Sequence, residues 1–145
     1  MKVDGAAALD QPLVVHLRVE VPQLAKPTGG GMVLRPPFAP SLAQLAMLPE
    51  RHTPLLRRTS LRAQMHVHVV LPESAKMPAS LSTGERRDGD SFVLVKDVVN
   101  GHAIDFDRVI DLPAGRVQPG KEYAAWQAFV READTLIAHD VAIGK

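Results

Sequence analysis

Residues 112–137 read LPAGRVQPGKEYAAWQAFVREADTLI, and a change of period inside this stretch sets the architecture. Up to Leu112 the chain alternates like a strand, Pro113-Ala114-Gly115 breaks it, Pro119-Gly120 turns it, and from Lys121 apolar residues recur every three or four positions. Tyr123, Trp126, Phe129, Val130, Ala133, Leu136 and Ile137 fall on one stripe of a helix, while Gln127, Arg131, Glu132 and Asp134 point away from it. The stripe must dock on something apolar. The only Trp and the only Tyr of the chain stand within one helical turn of each other here. Large aromatics bury more area than any other side chain, so Tyr123, Trp126 and Phe129 are expected to anchor the core.

Working back from this corner, Ala103–Leu112 and the β-branched run Phe92–Val99 flank Asn100-Gly101, the strongest two-residue hairpin signal in the chain. Within the second of these strands Ile104, Phe106, Ile110 and Leu112 share a face with Arg108, and Asp105, Asp107, Val109 and Asp111 take the other. A guanidinium in an apolar register needs a carboxylate or several carbonyls, or a bulge that turns it outward, and a structural role is expected for Arg108.

Two further runs alternate at period two: Leu13–Val21 between Pro12 and Pro22, and Leu61–Leu71 ending at Pro72. Gly29-Gly30-Gly31 reads as a turn with Met32–Leu34 returning as a short strand, because no phosphate-cradle motif and no clear helix follows it. Ser41–Leu48 opens on an N-cap serine and reads as a helix of about two turns. A short edge strand near Ala79-Ser80-Leu81, a hairpin turn at Asp88-Gly89-Asp90 and a last strand over Asp140–Ile143 complete the expectation. The result is a mostly β, α+β chain: one domain over residues 1–145, an antiparallel β-sandwich, immunoglobulin-like or related, with a short helix near Ser41–Leu48 and one C-terminal amphipathic helix.

The formal net charge is +1, and the basic residues are scattered apart from Arg57-Arg58 and Arg86-Arg87, so nucleic acid is not an expected partner. Zero cysteines exclude disulfides, thiolate metal sites and a cysteine nucleophile. No apolar run reaches transmembrane length, so no membrane insertion is expected.

His66 and His68 occupy alternate positions of one expected strand, so both imidazoles leave the same face, a spacing that can seed a two-histidine metal site. A third ligand is required, and His16 on the outward face of the first strand is the one candidate. The competing reading is two polar residues facing solvent or a partner, and neither a metal nor another cofactor is expected. Asp105, Asp107 and Asp111 alternate regularly on a strand, which is what a solvated sheet face produces, rather than the irregular backbone of a calcium loop. Ser60, Ser74, Ser80 and Ser82 lack a nucleophile elbow.

Leu112–Pro119 followed by Tyr123-Ala124-Ala125-Trp126-Gln127-Ala128-Phe129 resembles the ending of large bacterial proteins that carry an N-terminal β-domain of unknown function, a transglutaminase-like core and a C-terminal β-rich domain. Arg51-His52-Thr53-Pro54-Leu55, Leu71-Pro72 and Phe106-Asp107-Arg108 agree with that pattern, so the resemblance spans roughly Met32 to Ile143. It implies the non-catalytic C-terminal domain of a longer protein. The family's Cys, His and Asp lie in the preceding core, and none of them transfers to a position here. The resemblance further implies an accessory role whose partner is the remainder of its own polypeptide or another protein, in an envelope-associated or periplasmic setting. Two alternatives differ in class: a small metal-binding protein or enzyme using His66 and His68, and a peptide- or glycan-binding sandwich, against which the scarcity of aromatics outside the final helix argues.

Overall fold

Asn100 pairs with Ala103 across Gly101-His102, and from that turn two ten-residue strands run together back to Phe92 and Asp111. Gly101 sits at φ 61°, the left-handed conformation that a tight hairpin needs and that glycine adopts without a Cβ clash. The computed structural model describes residues 2–4, 14–16, 24–36, 40–78 and 80–144, the first two segments as backbone. In chain order the elements are β1 (Lys2–Asp4), β2 (Val14–His16), β3 (Ala25–Thr28), β4 (Gly31–Leu34), a 3-10 helix (Ala43–Ala46), β5 (Leu55–Arg57), β6 (Leu61–Val70), β7 (Thr83–Asp88), β8 (Ser91–Asn100), β9 (Ala103–Leu112), β10 (Gly115–Val117), α1 (Lys121–Ile137) and β11 (Val141–Gly144).

All pairings among the described residues are antiparallel. A four-stranded sheet has the order β6-β9-β8-β7, a three-stranded sheet the order β11-β4-β3, and β1-β2 and β10-β5 form two-stranded ribbons. The inner face of the four-stranded sheet is covered in two halves. At one end Val93, Val95, Ile110 and Leu112 pack with Tyr123, Trp126, Phe129, Val130, Ala133 and Ile137 of α1 and with Leu42 and Ala46 of the 3-10 segment. At the other, Ile104 and Phe106 pack with Leu34, Val141 and Ile143 of the smaller sheet. This is a sandwich-like α+β fold of antiparallel strands with one helix near the C-terminus, the class that the alternating runs and the late helical stripe imply.

The stripe of α1 does more than bury area. Tyr123 Oη donates to the Leu48 carbonyl at 2.7 Å, Gln127 Nε2 to the same oxygen at 2.7 Å, and Trp126 Nε1 to the Leu45 carbonyl at 3.3 Å. The Asp134 carboxylate accepts from the Leu42 amide at 2.6 Å. Side chains of α1 thus satisfy the loose backbone groups of the 3-10 turn, which explains how so short a segment stays docked. The helix itself begins after Gly120, and Glu122 in its first turn reaches back to accept from the Gln118 amide at 2.6 Å, tying the preceding loop to the helix N-terminus.

Several boundaries differ from the sequence expectation. The Ser41–Leu48 helix is a single 3-10 turn, since Ser41 Oγ accepts only the Ala43 amide at 3.3 Å and Pro49 leaves no room to lengthen it. Of the edge strand expected near Ala79–Leu81, Ala79 lies outside the described residues, and the strand forms at Thr83–Asp88, inside a run expected to be irregular; pairing with β8 overrides the poor strand propensity of Gly84-Glu85-Arg86-Arg87, and charged residues suit an exposed edge. The Gly89-Asp90 loop lies within the turn expected at Asp88-Gly89-Asp90, whereas the other hairpin loop, Gly101-His102, lies one residue later than Asn100-Gly101. Gly29-Gly30 is the turn between β3 and β4, and β11 runs one residue later than Asp140–Ile143. Of the strand expected over Leu13–Val21, Val14–His16 is described and the rest lies outside the described residues.

Candidate functional site

Period two on β9 sends Asp105, Asp107, Val109 and Asp111 to the outer face of the four-stranded sheet, and the register with β6 decides what stands opposite them. His66 faces Asp107, His68 faces Asp105 and Arg62 faces Asp111. Each pair is joined. Asp107 Oδ1 lies 2.7 Å from His66 Nδ1, Asp105 Oδ1 lies 2.5 Å from His68 Nδ1, and Arg62 Nε donates to Asp111 Oδ1 at 3.3 Å. Asn100 Nδ2 adds a donor to Asp105 Oδ2 at 3.4 Å, and His66 Nε2 stands 4.0 Å from Asp105. The three aspartates that the sequence presents as a merely solvated face are thus each matched to a basic mate on the neighbouring strand.

The electrostatics follow from these contacts. The hydrogen bond to Asp107 holds the His66 imidazole above its ordinary pKa, and the bond from His68, helped by Asn100, holds the Asp105 carboxyl below the usual carboxylate value. Where a neutral histidine donates its Nδ1 proton to a carboxylate, its Nε2 carries the free lone pair, an orientation shared by metal ligands and by general bases. A base still needs a nucleophile. The neighbouring outward positions hold Gln64, Val70, Lys96 and Val98, and none supplies a hydroxyl. A metal needs a third donor, and among the described residues no group of three or more His, Asp or Glu is placed to hold one. His16 pairs with Lys2 in the β1-β2 ribbon, whereas β6 pairs with β9, so among the described residues no strand pairing brings His16 beside His66 and His68.

Arg108 goes the other way. Its guanidinium is buried on the inner face, 1% exposed, and forks onto the Asp97 carboxylate through Nη1 and Nη2, the second contact at 3.1 Å. Nη1 also donates to the Asp107 carbonyl at 2.9 Å, while Nε lacks a partner. No bulge turns it outward, for β9 stays in register throughout. Asp97, which the sequence analysis did not single out, shares the inward register of β8 with Val93 and Val95, and only the pairing of β8 with β9 makes it the mate of Arg108. Tyr123, Trp126 and Phe129 are all buried, with Trp126 and Phe129 rings 5.4 Å apart.

Beside the charged ladder, the outer face carries an apolar strip: Phe92 and Leu94 of β8 with Val109 of β9 opposite Leu94, and Val98 beyond Lys96. Leu94 and Val98 are 36% and 40% exposed. Arg87 lies over the Phe92 ring at 4.9 Å and closes one side of the strip. No helix among the described residues is long and apolar enough to cross a membrane. No family model, curated protein or solved structure matches the chain.

Proposed function

We propose that this chain is a non-catalytic accessory domain that packs, through the outer face of its four-stranded sheet, against a transglutaminase-like core in its own polypeptide or in a partner protein. One observation carries the docking half of this reading: Phe92, Leu94 and Val109 form an apolar cluster, with Val98 set apart beyond Lys96, amid charged residues on the face left uncovered by the described residues. Contiguous apolar surface inside a polar rim is a common mark of a protein–protein contact. The core half rests on the residues that resemble the family, above all Leu112–Pro119 and the aromatic opening of α1.

The two halves separate by experiment. The reading frame upstream of Met1 is expected to encode a core with Cys, His and Asp; a frame that encodes none removes the family reading. That core, produced separately, is expected to bind this chain, and Leu94→Asp should weaken the association by roughly tenfold or more while leaving the melting temperature within a few degrees. Equal binding by Leu94→Asp removes the strip as the contact.

A second reading, metal binding at His66 and His68, is favoured by the carboxylates on both Nδ1 atoms, which pre-orient Nε2 as second-shell partners do. It requires a ligand from outside the described set. One tightly bound equivalent of zinc, lost in the His66→Ala/His68→Ala variant, would establish it over the docking reading.

A further inference from the structure

A second basic site lies on the opposite side of the sheet, where β5 meets β10 beneath α1. Arg57 is half-buried, its guanidinium carbon 4.3 Å from the centre of the Trp126 ring, and Nη1 donates to Ser91 Oγ at 3.0 Å. Its Nε is shielded from solvent and has no acceptor among the described residues. Among the described residues no carboxylate comes within ion-pair distance of Arg57 or of the exposed Arg58 beside it, and Asp88 acts on Arg57 only through its longer-range field. Burial holds the Arg57 pKa below the ordinary arginine value. A half-buried guanidinium held by one hydroxyl and one ring keeps donors free for a further acceptor.

A cavity lies beside the residue, away from the enclosed Nε. Arg57 and Arg58 line a cavity of about 270 Å³ whose other walls include Leu55, Leu56, Leu61 and Leu112. Register places Gly115 opposite Arg57, and a Cβ there would lie 3.3 Å from Arg57 Nη2, so the glycine makes room for the guanidinium. Two cations set among leucines, with Gln44 and Thr59 as further polar lining, suit a carboxylate carried on a short aliphatic body. The volume falls just below the range of about 300–1,000 Å³ common for small-molecule sites, which limits the apolar portion to a short chain or one side chain.

We propose that this cavity binds an aliphatic carboxylate, its oxygens taken by Arg57 with Arg58 at the mouth and its hydrocarbon laid on the leucine wall. Such a ligand has two sources, a free medium-chain acid or the C-terminal carboxylate of a chain ending in leucine. The site is separate from the outer face and stands or falls independently of the docking reading.

Trp126 is the only tryptophan, so its fluorescence reports directly on the guanidinium stacked over it. Titration with octanoate, and with acetyl-Ser-Gly-Leu as the free acid, is expected to give a saturable change for at least one, with dissociation constants on the order of millimolar. Saturation by octanoate alone assigns the free acid, and saturation by the peptide acid assigns the chain terminus. Octanol and the peptide amide should bind at least tenfold more weakly, and Arg57→Gln should weaken the acids by about ten- to a hundred-fold, the worth of a charge-assisted hydrogen bond. Should Arg57→Gln fold poorly, Leu56→Glu serves instead: Leu56 is 59% exposed, and the new carboxylate should repel the ligand without disturbing the core. No saturable response to either acid, or equal binding of octanol and octanoate, or undiminished binding in a folded Arg57→Gln or Leu56→Glu protein, overturns the proposal.

Discussion

One strand carries two ionic systems that face in opposite directions. On the outer side of β9, Asp105, Asp107 and Asp111 meet His68, His66 and Arg62, whose side chains are 48%, 61% and 76% exposed. On the inner side Arg108 meets Asp97 at 1% and 0% exposure. The outer pairs sit in water, where Coulomb attraction is screened and side-chain ordering offsets much of the gain. The inner pair sits where the two halves of the core meet, between Phe106 and Ile110 on β9, and there each charge depends on the other for its solvation. Identical backbone register therefore yields contacts of very different weight. The inner pair also penalises strand slippage, since a shift of one residue would turn Arg108 into solvent and an aspartate inward.

The largest effects should come from the inner side. Asp97→Ala strands a buried guanidinium and should cost about 3–5 kcal/mol in urea unfolding. Replacing both partners, as in Arg108→Met/Asp97→Leu, should recover most of that loss; a double variant as unstable as Asp97→Ala would show that the pair itself stabilises the fold. Trp126→Ala, which removes a fully buried ring from the same face, should cost a similar amount, about 3–5 kcal/mol. An unchanged unfolding midpoint would make α1 an exposed docking element instead of the cover of the sheet.

The outer ladder should respond to pH. Because Asp107 raises the His66 pKa above its ordinary value of about 6.5, the stabilisation from that pair is complete below about pH 6.5 and is lost as pH rises through the folded-state value. Because His68 lowers the Asp105 pKa, its contribution is present above about pH 3.9 and is lost as pH falls through the depressed value. Melting temperature should therefore fall from about pH 6 to pH 8, and His66→Gln should flatten that slope. An unaltered slope would place the titrating group elsewhere. Smallest of all, Arg62→Ala removes an exposed pair and should shift stability by no more than about 0.5 kcal/mol, which a measured loss of several times that size would contradict.

Legibility in the sequence followed the same division. Trp126 and its stripe, the β8-β9 hairpin and the faces of β6 and β9 are written in local periodicity, because a residue three or four positions along a helix, or two along a strand, must share its face. The inward placement of Arg108 followed from the same rule. Its mate did not, since nothing local ties residue 97 to residue 108; nor does anything local tie Arg57 to Trp126 and Ser91. The strand at Thr83–Asp88 was illegible for a related reason, its composition being that of a loop and its strand character coming from β8.

Taken alone, the chain of residues determined the class of fold, the aromatic anchor, the absence of any thiol chemistry and the presence of two histidines on one strand face. Tertiary structure alone decided that those histidines meet aspartates of β9, that the 3-10 turn hangs from the side chains of α1, and that a guanidinium lies half-buried beside a leucine-walled cavity. The reason is physical. Periodicity is a property of neighbours along the chain, whereas charge pairing, desolvation and cavities depend on register and on which layers cover which face, and these are set by contacts between residues far apart in sequence.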